Sequence, residues 1–154
     1  MRPWDLNAVV LAHVNRFFQA ARRVVPHLQD DQASALVGFA GNLLWANSAF
    51  ADVPDAQKRA MAVVGGAAKT LADQLDLGGG RQRVAQRAMD DLEQELLAHL
   101  DPLLEGLVRD IEAAGLAEAS PGTVDAWVWQ RLFPGYPWAA GEATLEAAIL
   151  ARLA

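Results

Sequence analysis

Leu6, Val9, Val10, His13, Phe17, Ala20, Ala21 and Val24 fall on one face at about 100° per residue, while Asn15, Arg16, Gln19, Arg22 and Arg23 fall opposite. This spacing predicts an amphipathic helix that begins at Asp5, a good N-cap residue placed after Pro3 and Trp4, and stops at Pro26. The next stretch, 32–51, carries no charge and is preceded by Asp30 and Asp31. A helix that is apolar all round belongs at the centre of a fold or in a membrane, and the central core position is the expectation here. Ser34, Gly38, Gly41 and Ser48 share a sector with Trp45, giving one side small enough for a neighbouring backbone to approach.

Pro54 fits the first turn of a third helix over 55–75, with Ala60, Val64, Ala67, Ala68, Leu71 and Leu75 inward. Gly65 and Gly66 in its middle cost about 1 kcal/mol each relative to alanine, so packing is expected to compensate. The run LDLGGG at 75–80 breaks the chain, and Val84, Ala88, Met89, Leu92, Leu96 and His99 then mark a helix over 81–99. Asp101 and Pro102 interrupt it with either a kink or a fresh start, after which Leu103, Leu107 and Ile111 carry the pattern to Gly115. A loop at 120–122, a short helix over 123–132 and a last helix over 142–153 complete the series. Glu142 and Glu146 lie early in the last helix and Arg152 late, as the helix dipole favours.

These elements define an all-α protein, a single-domain bundle of five to seven helices around a central apolar helix, with one domain spanning 1–154. A chain of this size can bury roughly 68–70% of the surface that its unfolded form exposes. An apolar fraction of 53% with 21% charged residues is that of a folded chain. The absence of cysteine excludes disulfides, thiolate nucleophiles and Cys-based metal centres. Asp5, Asn7, His13, Asn15 and Arg16 interrupt any leader-like apolar run at the N-terminus, so the expected location is cytoplasmic. The apolar stretches 33–46 and 60–68 fall short of the roughly 20 residues needed to span a membrane, so no membrane partner is expected.

Charge is unevenly spread within the net −6: between Ala88 and Asp125 there are ten acidic side chains and one basic one, Arg109. Nucleic acid would be repelled from that region, which is either a solvated helix face or a surface for a basic partner. Glu93, Glu105 and Glu112 are its candidate contacts.

His13 and His99 lie inside the apolar stripes of their own helices, and Glu95 sits one turn before His99. Should the two helices be neighbours, these three could form a ligand or metal site, or an acid-base pair. Helical metal sites usually repeat a Glu and His pair on two helices, and this chain has a single Glu-x-x-x-His; hydrogen-bonded core histidines are the competing reading. Arg81, Arg83 and Arg87 put cations on the first turns of a helix, where an anion would offset an unfavourable dipole. No phosphate-loop pattern accompanies them, and pairing with acidic helices is the alternative.

The segment 127–138, WVWQRLFPGYPW, holds five of the chain's eleven aromatic residues. Val124, Trp127 and Val128 predict an inward stripe with Trp129 pointing elsewhere, and Pro134-Gly135 turns the chain. Phe133, Tyr136 and Trp138 are expected to fold back as a plug over one end of the bundle. In a binding role, Trp129, Phe133, Tyr136 and Trp138 would contact a partner, with Trp129, Tyr136 and Trp138 exposed.

With no nucleophile-base set and no cofactor fingerprint, the leading reading is a non-enzymatic interaction module, of immunity, inhibitor or adaptor type, that binds another protein of basic character. No cofactor is expected. The alternative is a helical small-molecule or metal-binding protein, catalytic or not, with its pocket at His13, Glu95 and His99. A second copy of the chain could also complete the bundle as a homodimer.

Overall fold

The computed structural model describes residues 5–46 and 81–153, together with positions 55, 58, 61, 62, 65, 66 and 69. Among the described residues there are six α-helices, one 3-10 turn and no strand. The helices are α1 (Leu6–Val24), α2 (Asp30–Ala46), α3 (Arg81–Ala98), α4 (Leu100–Ala113), α5 (Pro121–Leu132) and α6 (Glu142–Leu153), with the 3-10 turn Val25–His27 after α1. Positions 58, 61, 62, 65, 66 and 69 are helical and exposed; the rest of the helix expected over 55–75, its inward face and the 75–80 breaker lie outside the described residues. At Gly65 and Gly66 a Cβ would meet no described atom within 4 Å, so nothing described there explains a glycine pair.

Local signals set the helix ends. The Asp5 carboxylate accepts the Asn7 amide at 3.1 Å, satisfying one of the donors left open at the start of α1. Ahead of α2, the Gln29 amide donates to the Gln32 side chain at 3.0 Å, which is the backward arm of a capping box. Ser120 caps α5, and Pro121 takes the first helical position, where its missing N–H costs nothing. The helix therefore starts at Pro121, two residues before the expected 123.

The break between α3 and α4 falls at His99. Pro102 supplies the reason: inside a continuous helix its ring would clash with the carbonyl of Ala98, whereas in the first turn of a new helix it is tolerated. The His99 amide closes a tight last turn on Leu96 at 3.2 Å, and its carbonyl accepts the Leu103 amide at 3.2 Å to begin α4.

Helix α1 is the hub of the described bundle, packing against α3, α5 and α6, while α2 lies on α3 and α6. Its buried face is wider than the predicted stripe, because Val14 and Phe18 join Leu6, Val10, His13, Phe17, Ala20, Ala21 and Val24. The apolar helix α2 buries Ala33, Leu36, Val37, Ala40 and Gly41 and leaves Ala35 exposed.

Even the polar side of α1 serves its neighbours. Arg22 reaches α3, where it donates to Asp90 at 2.8 Å and to Glu93 at 2.9 Å. Arg23 reaches α6, pairing with Glu142 at 2.8 Å and Glu146 at 2.6 Å. Burial works against the Arg22 charge, but hydrogen bonds to Glu93 and Asp90 outweigh it and raise the pKa. Both cations lie in the last turn of α1, where the helix dipole favours them.

The candidate functional site

Two places gather chemistry, one buried and one exposed. The buried one lies where α1 and α5 meet the strap 133–141 that follows α5. Trp129 and Phe133 are fully buried, and Tyr136 is 4% exposed. The Trp129 indole N–H donates to the Tyr136 carbonyl at 3.1 Å, closing the strap back on the helix that precedes it. Phe133 stacks on Phe17 with ring centroids 4.3 Å apart, and Tyr136 meets the same Phe17 edge-on at 5.5 Å. Arg16 donates to the Trp138 carbonyl at 2.5 Å and to the Ala140 carbonyl, with its guanidinium 4.8 Å above the Trp129 ring.

The turn that sends the strap back depends on Gly135. Its φ of 87° lies in the region that side chains avoid, and a Cβ there would come within 2.6 Å of the Arg152 guanidinium. Arg152 in turn lies 5.5 Å over the Tyr136 ring. Burial raises the Tyr136 phenol pKa to about 12, against a smaller lowering by Arg152.

The expectation that Trp129, Tyr136 and Trp138 stand exposed as partner contacts is therefore corrected. Trp129, Phe133 and Tyr136 are core residues, and Trp138 is half-buried. The inward stripe of α5 runs through Val124, Val128 and Leu132 with Trp129 beside it, while Trp127 is half-buried under the Arg131 guanidinium at 5.2 Å. The physical cause is the strap, which covers the Trp129 side of α5 and gives its N–H a buried acceptor.

His13 sits in the same junction. It is 6% exposed, with its ring edge-on to Trp129 at 5.4 Å and to Trp138 at 5.0 Å. Its Nε2 makes no hydrogen bond and stands 3.7 Å from the Asp125 carboxylate. Burial lowers its pKa below the ordinary 6.5; the Asp125 carboxylate and backbone oppose the shift, and Arg16 adds to it.

His99 ends α3 and donates from Nδ1 to the Glu95 carbonyl at 2.9 Å, a capping role at the helix break. The described contacts of His13, Glu95 and His99 do not join the three into one site. Among the described residues, no group of three His, Cys, Asp or Glu side chains could hold a metal ion. Sequence reasoning placed His13 on the core face but missed Asp125 as its neighbour, because Asp125 read as part of a solvated acidic surface.

The exposed place is α4. Leu103, Leu107 and Ile111 face the core, and Leu104 and Val108 on the flank are half-buried. An open groove there is lined by Asp101, Leu104, Glu105, Val108 and Arg109. Asp101, Glu105 and Glu112 are exposed and fall within about 40° of one another on the helix, directly beside the apolar flank. Glu93 is different: its side chain is 14% exposed and held by Arg22, so this predicted contact serves the α1–α3 packing. Asp110 is likewise paired with Arg131 from α5. Arg83 and Arg87 are exposed, and the described residues offer neither an ion-pair partner; the Arg81 side chain lies outside the described residues.

No helix among the described residues is long and apolar enough to cross a membrane. No family model, curated protein or solved structure matches this chain.

Proposed function

We propose that this is a non-enzymatic interaction module that takes a basic, partly apolar segment of another protein along α4. The observation that carries the reading is the pairing of two surfaces on one helix: the half-buried Leu104 and Val108, and the exposed row Asp101, Glu105 and Glu112 beside them. A partner helix with apolar anchors one turn apart and Lys or Arg on its flank matches both. Carboxylates at the rim steer such a partner and set its orientation, while the apolar flank supplies the contact that survives salt. The net charge of −6 works against self-association through the same face, which places a basic partner ahead of a second copy.

The aromatic strap does not enter this surface, since its large side chains stabilise the core. A synthetic amphipathic Leu/Lys helix titrated against the protein tests the reading. Binding is expected to weaken about tenfold or more when Asp101, Glu105 and Glu112 are all changed to Lys, and also when Leu104→Asn and Val108→Asn are combined. Equal binding by the parent protein and both variants would remove α4 as the docking surface.

A further inference from the structure

We infer that His13 and Asp125 form a proton-operated latch for the strap 133–141, closed while the imidazole is neutral and released when it takes up a proton. The strap carries no charge of its own, and three α1 side chains within about one helical turn hold it: His13 against the Trp138 ring, Arg16 on the carbonyls of Trp138 and Ala140, and Phe17 stacked on Phe133. A neutral imidazole suits this site, because it packs in T-shaped contact with two indole rings.

A charged imidazole does not suit it. The ring is 6% exposed, and Nε2 makes no hydrogen bond, with the Asp125 carboxylate 3.7 Å away and beyond hydrogen-bond reach. The charged groups facing it are Asp125 from α5 and Arg16 from α1; the strap contributes the Trp138 ring and Tyr136, whose proton is held to about 12. Arg16 lies three residues on, so protonation would put two cations under the same short segment. Asp125 is the one anion of this set, and its side chain is 37% exposed, so an imidazolium relieves its burial by swinging toward Asp125 and water.

That movement withdraws the His13 ring from Trp138 and uncovers one side of Trp129, which is fully buried while the strap is closed. Attraction between an imidazolium and the two indole rings acts in the opposite sense. The loss of water around the charge is the largest influence on His13 and lowers its pKa below 6.5. The sign follows: closure is fully present above pH 6.5 and is lost as pH falls through the lower folded-state value.

The test is a proton NMR titration of the intact protein that follows the three histidine Hε1 signals and the indole N–H signals of Trp129 and Trp138. His13, assigned by its loss in His13→Gln, is expected to titrate below 6.5 with both indole signals moving at the same midpoint. Asp125→Asn removes the attraction that favours the cation and is expected to shift that midpoint further down. A His13 midpoint at or above 6.5, or indole signals that ignore its titration, would overturn the latch. So would an Asp125→Asn midpoint that is unchanged or raised. If His13→Gln does not fold, the parent and Asp125→Asn titrations decide the matter, with His13 assigned by its contacts to the Trp138 ring.

Discussion

Replacing Trp129 separates a core residue from a binding hot spot. In Trp129→Ala the lost side chain is one that is fully buried, touches His13, Phe133 and Trp138, and lies under Arg16. A tryptophan buries roughly 150–250 Å², and at about 25 cal/mol per Å² this corresponds to about 4–6 kcal/mol, an upper bound because the unfolded chain already hides part of that area. The indole N–H is removed as well, which leaves the buried Tyr136 carbonyl without that donor. Measured Trp-to-Ala changes in cores cost about 3–5 kcal/mol, and that is the expected loss here. Against a total stability of about 5–15 kcal/mol, the variant should unfold at a much lower urea concentration or be only partly folded.

Trp129→Phe keeps most of the apolar area but not the donor, so its loss should be about 1–3 kcal/mol and largely due to the unmet carbonyl. Urea unfolding followed by far-UV circular dichroism measures both variants with a probe that does not depend on the deleted indole. A Trp129→Ala protein as stable as the parent within about 0.5 kcal/mol would refute the argument, because only surface positions tolerate such a change.

Gly106→Ala is expected to stabilise the protein by about 0.8–1 kcal/mol, read from the urea midpoint, since among the described residues a Cβ in the middle of α4 would meet only the Arg109 guanidinium, at an ordinary 3.8 Å. Tyr136 is the chain's one tyrosine, so the ultraviolet absorbance titration reports it directly, and its midpoint should lie near 12 instead of 10 while the fold persists. Because the folded-state value is raised, the associated stability, about 2–3 kcal/mol, is present below pH 10 and is lost as pH rises toward 12.

Much of the fold was legible because it rests on short-range rules. The stripe from Leu6 to Val24, the Asp5 cap and the stop at Pro26 involve residues within a few positions of one another; the stripe and the cap appear in α1, which ends at Val24, and Pro26 lies in the 3-10 turn that follows. Pro102 was legible as an interruption, though the break at His99 required knowing that the proline ring excludes the Ala98 carbonyl. The aromatic segment shows where such rules fail. Periodicity from Val124 put Trp127 inward and Trp129 outward, while the structure centres the buried face on Val128 and Leu132 with Trp129 beside them. That shift comes from the strap, and the Trp129–Tyr136 bond that fixes it spans a turn whose direction no helical wheel contains.

The candidate contacts divide in the same way. Glu105 and Glu112 were read as exposed carboxylates and are exposed, since α4 has a simple inward face of Leu103, Leu107 and Ile111. Glu93 was read alike but turns inward, because Arg22 on α1 lies close enough to hold it.

By itself, the sequence determined that this chain is helical, where most of the described helices begin and end, and which side of α1 and of α4 turns inward. These follow from the 3.6-residue period, from caps and from proline geometry, all local to the chain. Only the tertiary structure decided that α1 is the hub, that Trp129 of α5 is core, and that His13 faces Asp125 across 112 positions of sequence. Those outcomes depend on which surfaces meet, and burial, desolvation and pairing are properties of the meeting and not of either residue.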